Sequence, residues 1–120
     1  MKRFFRSFLY AFAGIAYVLR TQRNARVHVA AGCLVVVAGI CFRVTATEWA
    51  VLALTMGGVF SAEMINTVAE LAVDLLTQHY HPMAKVAKDV GAGAVLVSAI
   101  AAVAVGVAVF GPRVWGLLFR

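Results

Sequence analysis

Two stretches of this chain, Val27 to Phe42 and Val90 to Pro112, contain no Asp, Glu, Lys or Arg. Runs of that length suit a helix that faces hydrocarbon, since about 20 apolar helical residues cross a bilayer core of about 30 Å. With 63% hydrophobic residues and a mean hydropathy of +0.92, the chain as a whole lies outside the range of soluble globular proteins. The bilayer is therefore part of the fold, and a water-surrounded core is excluded.

A third stretch, Trp49 to Ala62, is free of charge for 14 residues before Glu63 interrupts it. Alone it is too short to cross. Thr45 and Glu48 have the spacing of a capping box, and nothing between Glu48 and Leu76 stops a helix, so this span runs on through its own carboxylates. Ahead of the first span, Phe4, Phe5, Phe8, Leu9, Phe12, Ile15 and Leu19 recur at helical spacing among Lys2, Arg3, Arg6 and Arg20, the pattern of an amphipathic helix lying in the interface. The expected fold is all-α and integral to the membrane, one domain over 1–120, with a surface helix over about 3–20 and spans over about 27–43, 47–73 and 89–111.

The cations give the orientation. Lys2, Arg3, Arg6, Arg20, Arg23, Arg26, Lys85 and Lys88 fall on one side, whereas Arg43, Arg113 and Arg120 fall on the other. That asymmetry predicts a cytoplasmic N-terminus and an external C-terminus. The net charge of +6 is on this reading a topology and anionic-lipid signal, with no nucleic-acid partner implied. Cys33 and Cys41 are roughly 12 Å apart along one helix, too far to pair, and read as buried structural residues. Ala84, Ala87, Gly91, Ala94, Ser98 and Ala101 form a seam of small residues on the third span, which predicts close helix approach and homo-oligomerisation.

Against this background the acids stand out. The chain has five, and Glu63, Glu70, Asp74 and Asp89 lie within 27 residues of one another. At the helical repeat Glu63, Glu70 and Asp74 project within about 20° of one direction, flanked by Asn66 and Thr67. Across the next loop Lys85 and Asp89 are an i, i+4 pair with Lys88 beside them. Hard oxygen donors facing lysines suit metal-assisted phosphoryl transfer, in which carboxylates hold Mg²⁺, lysine neutralises phosphate and one carboxylate accepts the proton of an attacking hydroxyl. Acids in a membrane helix also mark ion pathways, so a small cation-coupled transporter is a competing reading, although the clustering of the acids at one interface fits it poorly.

The residues in sequence carry a resemblance. Glu63-Met64-Ile65-Asn66-Thr67-Val68-Ala69-Glu70, Val73-Asp74-Leu75 and the run from His81-Pro82 through Lys85, Lys88-Asp89 and Gly91 to Leu96 resemble the signature of the small bacterial membrane kinases that phosphorylate diacylglycerol or undecaprenol. Ser7-Phe8, Ala11-Phe12, Gly14, Asn24-Ala25-Arg26-Val27-His28 and Glu48-Trp49 extend the likeness over most of the chain. The resemblance implies a trimer with sites shared between subunits, ATP as co-substrate and Mg²⁺ as cofactor, without a Walker A loop. Position by position it implies Glu63 as catalytic base in contact with the lipid alcohol, with Asn66 beside it. It implies Glu70 as a metal-binding carboxylate at the nucleotide phosphates, Lys88 and Asp89 on ATP, and Tyr80 and His81 around the nucleotide. Arg3 and Tyr10 on the surface helix fall where the family touches nucleotide and lipid, and Asp74 is a further candidate at the substrate.

One position departs from the family pattern. Where relatives carry a second metal-binding glutamate, this chain has Gln22, an oxygen donor without charge. A catalytically impaired member that binds nucleotide or lipid is therefore a third reading. Between acceptors, Asn24-x-Arg26-x-His28 and Pro82 resemble the undecaprenol branch more than the diacylglycerol branch.

Overall fold

The computed structural model describes residues 1–120 as four helices. They are α1 (Lys2–Thr21), α2 (Arg23–Cys41), α3 (Ala46–Leu76) and α4 (Pro82–Leu118). The last three are long and apolar enough to cross a membrane. The expected surface helix and three spans are thus present, with differences at the ends.

Local chemistry accounts for most boundaries. At the start of α3 the Thr45 hydroxyl accepts from the Glu48 amide at 3.2 Å while Glu48 Oε2 accepts from the Thr45 amide at 2.8 Å, which completes the capping box. His81 caps α4, its Nδ1 accepting from the Met83 amide at 3.1 Å, and Pro82 occupies the first helical position where no N–H is needed. The end of α2 differs from the expected residue 43. Phe42 closes the helix, Arg43 enters the left-handed region with φ of 52°, and the Val44 amide donates to Gly39 at 3.1 Å. This terminating motif commonly uses glycine at the left-handed position; here arginine carries the strain.

The third span also outruns its expected end at 111, for α4 continues through Pro112 to Leu118. Proline removes one amide donor and is tolerated in membrane helices when neighbouring groups satisfy the freed carbonyls. The carbonyl that Pro112 leaves without its amide donor is that of Ala108; one residue on, the Arg113 guanidinium donates to the Val109 carbonyl at 2.5 Å and also holds Glu48 through two bonds of 2.7 and 3.0 Å. That pair ties the C-terminal end of α4 to the capping box of α3.

α3 packs most extensively on α4, α2 lies against α3, and α1 touches both α2 and α3. Arg26 fastens the α1–α2 corner, its Nη1 donating to the carbonyls of Leu19 and Arg20 at 3.0 Å each. At Gly39 the ring of Trp49 lies so close that an added methyl would stand 2.5 Å from it. Val44, Leu52 and Val109 form a small buried cluster nearby.

Only 11 of 120 residues are buried, so lipid or neighbouring subunits must cover the rest of the apolar surface. Cys33 and Cys41 belong to that uncovered surface: both are exposed, which corrects their expected burial. The small-residue seam of α4 divides. Ala84, Gly91 and Ser98 turn inward, while Ala87, Ala94 and Ala101 are exposed.

Candidate active site

The polar stripe on α3 runs from the packed interior to open solvent. Glu63, Asn66 and Thr67 are buried, Glu70 is half-buried and Asp74 is exposed. The seven- and four-residue steps of the helix keep the stripe in one direction along α3.

Glu63 is 2% exposed, and its Oε1 accepts no hydrogen bond. The imidazole Nε2 of His28, on α2, stands 3.6 Å from that oxygen. A buried acid left short of partners is costly, which marks Glu63 as a candidate functional group. Thr67 donates to the Glu63 carbonyl at 2.9 Å, which satisfies its own hydroxyl without touching the carboxylate. Asn66 Oδ1 is likewise buried without a partner, and it rests directly on Gly91 of α4, where a methyl group would collide with it. Gly91 is therefore the residue that lets the amide approach α4.

Beyond Glu70 the helix ends form a cleft of about 340 Å³ lined by Asp74, Thr77, Gln78, His79, Tyr80, His81, Lys85, Lys88 and Asp89, with Val73 and Ala84. Lys88 Nζ holds Asp74 Oδ1 at 2.7 Å across the two helices, and Lys85 Nζ holds Asp89 Oδ2 at 2.5 Å along one. These pairs are exposed, so they add little stability, and an anionic ligand can exchange into them at small cost. Such a cleft, with two lysines at the mouth and hydroxyl and imidazole groups around it, suits a phosphate-bearing ligand.

The residues expected at the site are thus partly assembled. Asp74, Tyr80, His81, Lys88 and Asp89 share the cleft; Glu63 and Asn66 lie deeper on the same helix face. Glu70 stands between the two groups, and its charge acts on Lys88. Arg3 and Tyr10 do not join them within one chain, being exposed on α1 and absent from the cleft wall. Gln22 sits half-buried at the α1–α2 junction, its Nε2 donating to Thr21 at 3.4 Å. Sequence reasoning passed over Thr77 and Gln78, ordinary loop residues, and the approach of His28 to Glu63, which spans two helices and leaves no local pattern.

No three His, Cys, Asp or Glu side chains converge into a cage for a metal ion. Mg²⁺ is commonly bound through one or two carboxylates plus substrate phosphates and water. Glu70, half-buried on α3, and Gln22, half-buried at the α1–α2 junction, carry oxygen donors of that hard type.

A second cleft, about 350 Å³ and mostly apolar, lies between α2 and α3, walled by Val29, Gly32, Val35, Met56, Gly57 and Phe60, with His28 at its polar end. Three membrane-length helices that carry an apolar groove, a buried carboxylate and, further along α3, an ion-paired cleft suit a membrane enzyme. The model of the prokaryotic diacylglycerol kinase family matches residues 9–110. The undecaprenol kinase of Bacillus subtilis (strain 168) is 43% identical over 113 residues, covering 94% of this chain and 92% of that one. A diacylglycerol kinase of Synechocystis sp. is 50% identical over 101 residues, 83% of this chain but 58% of that longer protein. The chain belongs to the prokaryotic diacylglycerol kinase family and is a multi-pass membrane lipid kinase.

Proposed function

We propose that the chain transfers the γ-phosphoryl group of ATP to the hydroxyl of undecaprenol at the cytoplasmic face of the inner membrane. The observation that carries this reading is the buried carboxylate of Glu63 with its unpartnered oxygen, on the stretch of α3 between Phe60, which walls the apolar groove, and Val73, which walls the lysine-lined cleft. The lipid tail stays in hydrocarbon, and its hydroxyl meets Glu63, which takes the proton as oxygen attacks phosphorus. Lys88 and Asp89 bind the nucleotide, with Tyr80 and His81 around it and Arg3 and Tyr10 reaching it from α1, supplied by a neighbouring subunit of a trimer. Exposed Ala87, Ala94 and Ala101 offer the close-packing surface such a trimer needs. Glu70 and Gln22 would hold Mg²⁺, whose chemistry there is to neutralise charge on the transferring phosphate. The eight cations on the side of α1 and the α3–α4 loop support the cytoplasmic placement.

The near end-to-end match with the protein named undecaprenol kinase favours the polyprenol, whereas the higher identity with the protein named diacylglycerol kinase favours the second acceptor. Transfer of labelled γ-phosphate to undecaprenol and to diacylglycerol, side by side in mixed micelles, decides between them. A higher kcat/KM for undecaprenol is expected; the reverse order would transfer the assignment to diacylglycerol, and no transfer to either would remove the kinase reading.

Gly91→Ala is expected to keep the fold and push the Asn66 carboxamide aside, lowering turnover roughly 10-fold or more. Transfer rate and thermal unfolding in detergent, read together, check it. Wild-type turnover in that variant would show that the Asn66 position does not matter to the reaction.

A further inference from the structure

Glu63 is the most deeply buried charged side chain in the protein, and one of its oxygens lacks a hydrogen-bond donor. Of the cations near this end of the helices, Lys88 is held by Asp74, Lys85 by Asp89, and Arg26 by the carbonyls that end α1. On α4, the element packed most extensively on α3, Gly91 lies against Asn66, three residues along α3 from Glu63. Within 4.0 Å of the carboxylate the one Lys, Arg or His is His28, whose Nε2 lies 3.6 Å from the orphaned Oε1.

That distance is about 0.6 Å longer than a good N–H···O bond, a gap that a small rotation of the half-buried imidazole closes. His28 walls the apolar groove between α2 and α3, and it walls a further cleft with Asn24, Val27, Ala92, Val95 and Leu96. Both clefts thus reach the imidazole that stands beside Glu63.

We infer that His28 is a positioning residue for phosphoryl transfer: its Nε2–H closes onto Glu63 Oε1 and fixes the carboxylate with Oε2 towards the acceptor hydroxyl. The inference rests on Glu63 being the base, as proposed above. In the step itself the acceptor oxygen bonds to the γ-phosphorus, the bond from that phosphorus to the bridging oxygen of ADP breaks, and the hydroxyl proton passes to Oε2. His28 neither gains nor loses a proton. It donates a hydrogen bond before and after, which requires the tautomer protonated at Nε2.

The test compares His28→Leu, His28→Gln and Glu63→Gln in the full chain in mixed micelles with undecaprenol and MgATP. Loss of a hydrogen bond to a charged group should lower kcat in His28→Leu roughly 10- to 100-fold, while KM for ATP stays unchanged. His28→Gln, which keeps an N–H of similar reach, should recover most of the rate. Independently of turnover, the ring ¹⁵N resonances of His28 should move when Glu63 becomes Gln. Wild-type kcat in His28→Leu with an inactive Glu63→Gln would overturn the positioning role and leave the base intact. Equal losses in His28→Leu and His28→Gln, with a lowered unfolding temperature and unmoved ¹⁵N resonances, would reduce His28 to a packing residue. An active Glu63→Gln would overturn both readings at once.

Discussion

Glu63→Gln is expected to lower lipid phosphorylation roughly 100- to 10,000-fold while leaving ATP binding and the fold in place. The substitution is nearly isosteric, so packing against α2 and α4 should hold, but a carboxamide cannot accept the acceptor's proton. No second acid on α3 is buried with it: Glu70 is half-buried and Asp74 faces solvent in its pair with Lys88. The stability of the variant makes the prediction sharper. A buried carboxylate with an unpaired oxygen is expensive to keep, and a neutral amide removes part of that cost. Thermal unfolding in detergent should therefore show a midpoint equal to or above that of the parent. Loss of activity with retained or raised stability is the mark of a group held for chemistry. A variant that loses both would instead show Glu63 to be a structural residue, and one that loses neither would leave the reaction without its base.

What could be read from the sequence was local. The capping box of α3, the Lys85–Asp89 pair and the single-sided stripe from Glu63 to Asp74 all follow from three-, four- and seven-residue spacing, and each is present. Contacts between helices were beyond that kind of reading. Lys88 pairs with Asp74 across the loop, His28 reaches Glu63 from α2, and Asn66 fits against Gly91 because one side chain is missing there.

One helix runs past the expected span, α4 continuing through Pro112 to Leu118. One error came from a rule that belongs to water. Cys33 and Cys41 read as buried because they are apolar, but in a membrane helix the apolar face is the outer one. Arg43, at a left-handed position that usually calls for glycine, gave no signal at all.

If Glu70 and Gln22 hold Mg²⁺ as proposed, Glu70 is the one charged oxygen donor, and Glu70→Gln leaves two amides at the metal, neither of which brings the negative charge that holds a hard cation. Phosphorylation by Glu70→Gln should fall roughly 100-fold or more, with a raised Mg²⁺ requirement. Adding Gln22→Glu to that variant should recover part of the rate, because one carboxylate is again available, and Gln22→Glu alone should lower the Mg²⁺ concentration for half-maximal rate. Calorimetric titration of MgATP gives a readout separate from turnover: affinity should follow the same order, Gln22→Glu above the parent and Glu70→Gln below it. Two outcomes would count against this. If Gln22→Glu changes neither affinity nor Mg²⁺ dependence, position 22 lies outside the metal site in this chain. If the parent binds MgATP but transfers nothing until Gln22 is replaced by Glu, the chain is a binding member of its family whose catalysis was lost at that one carboxylate.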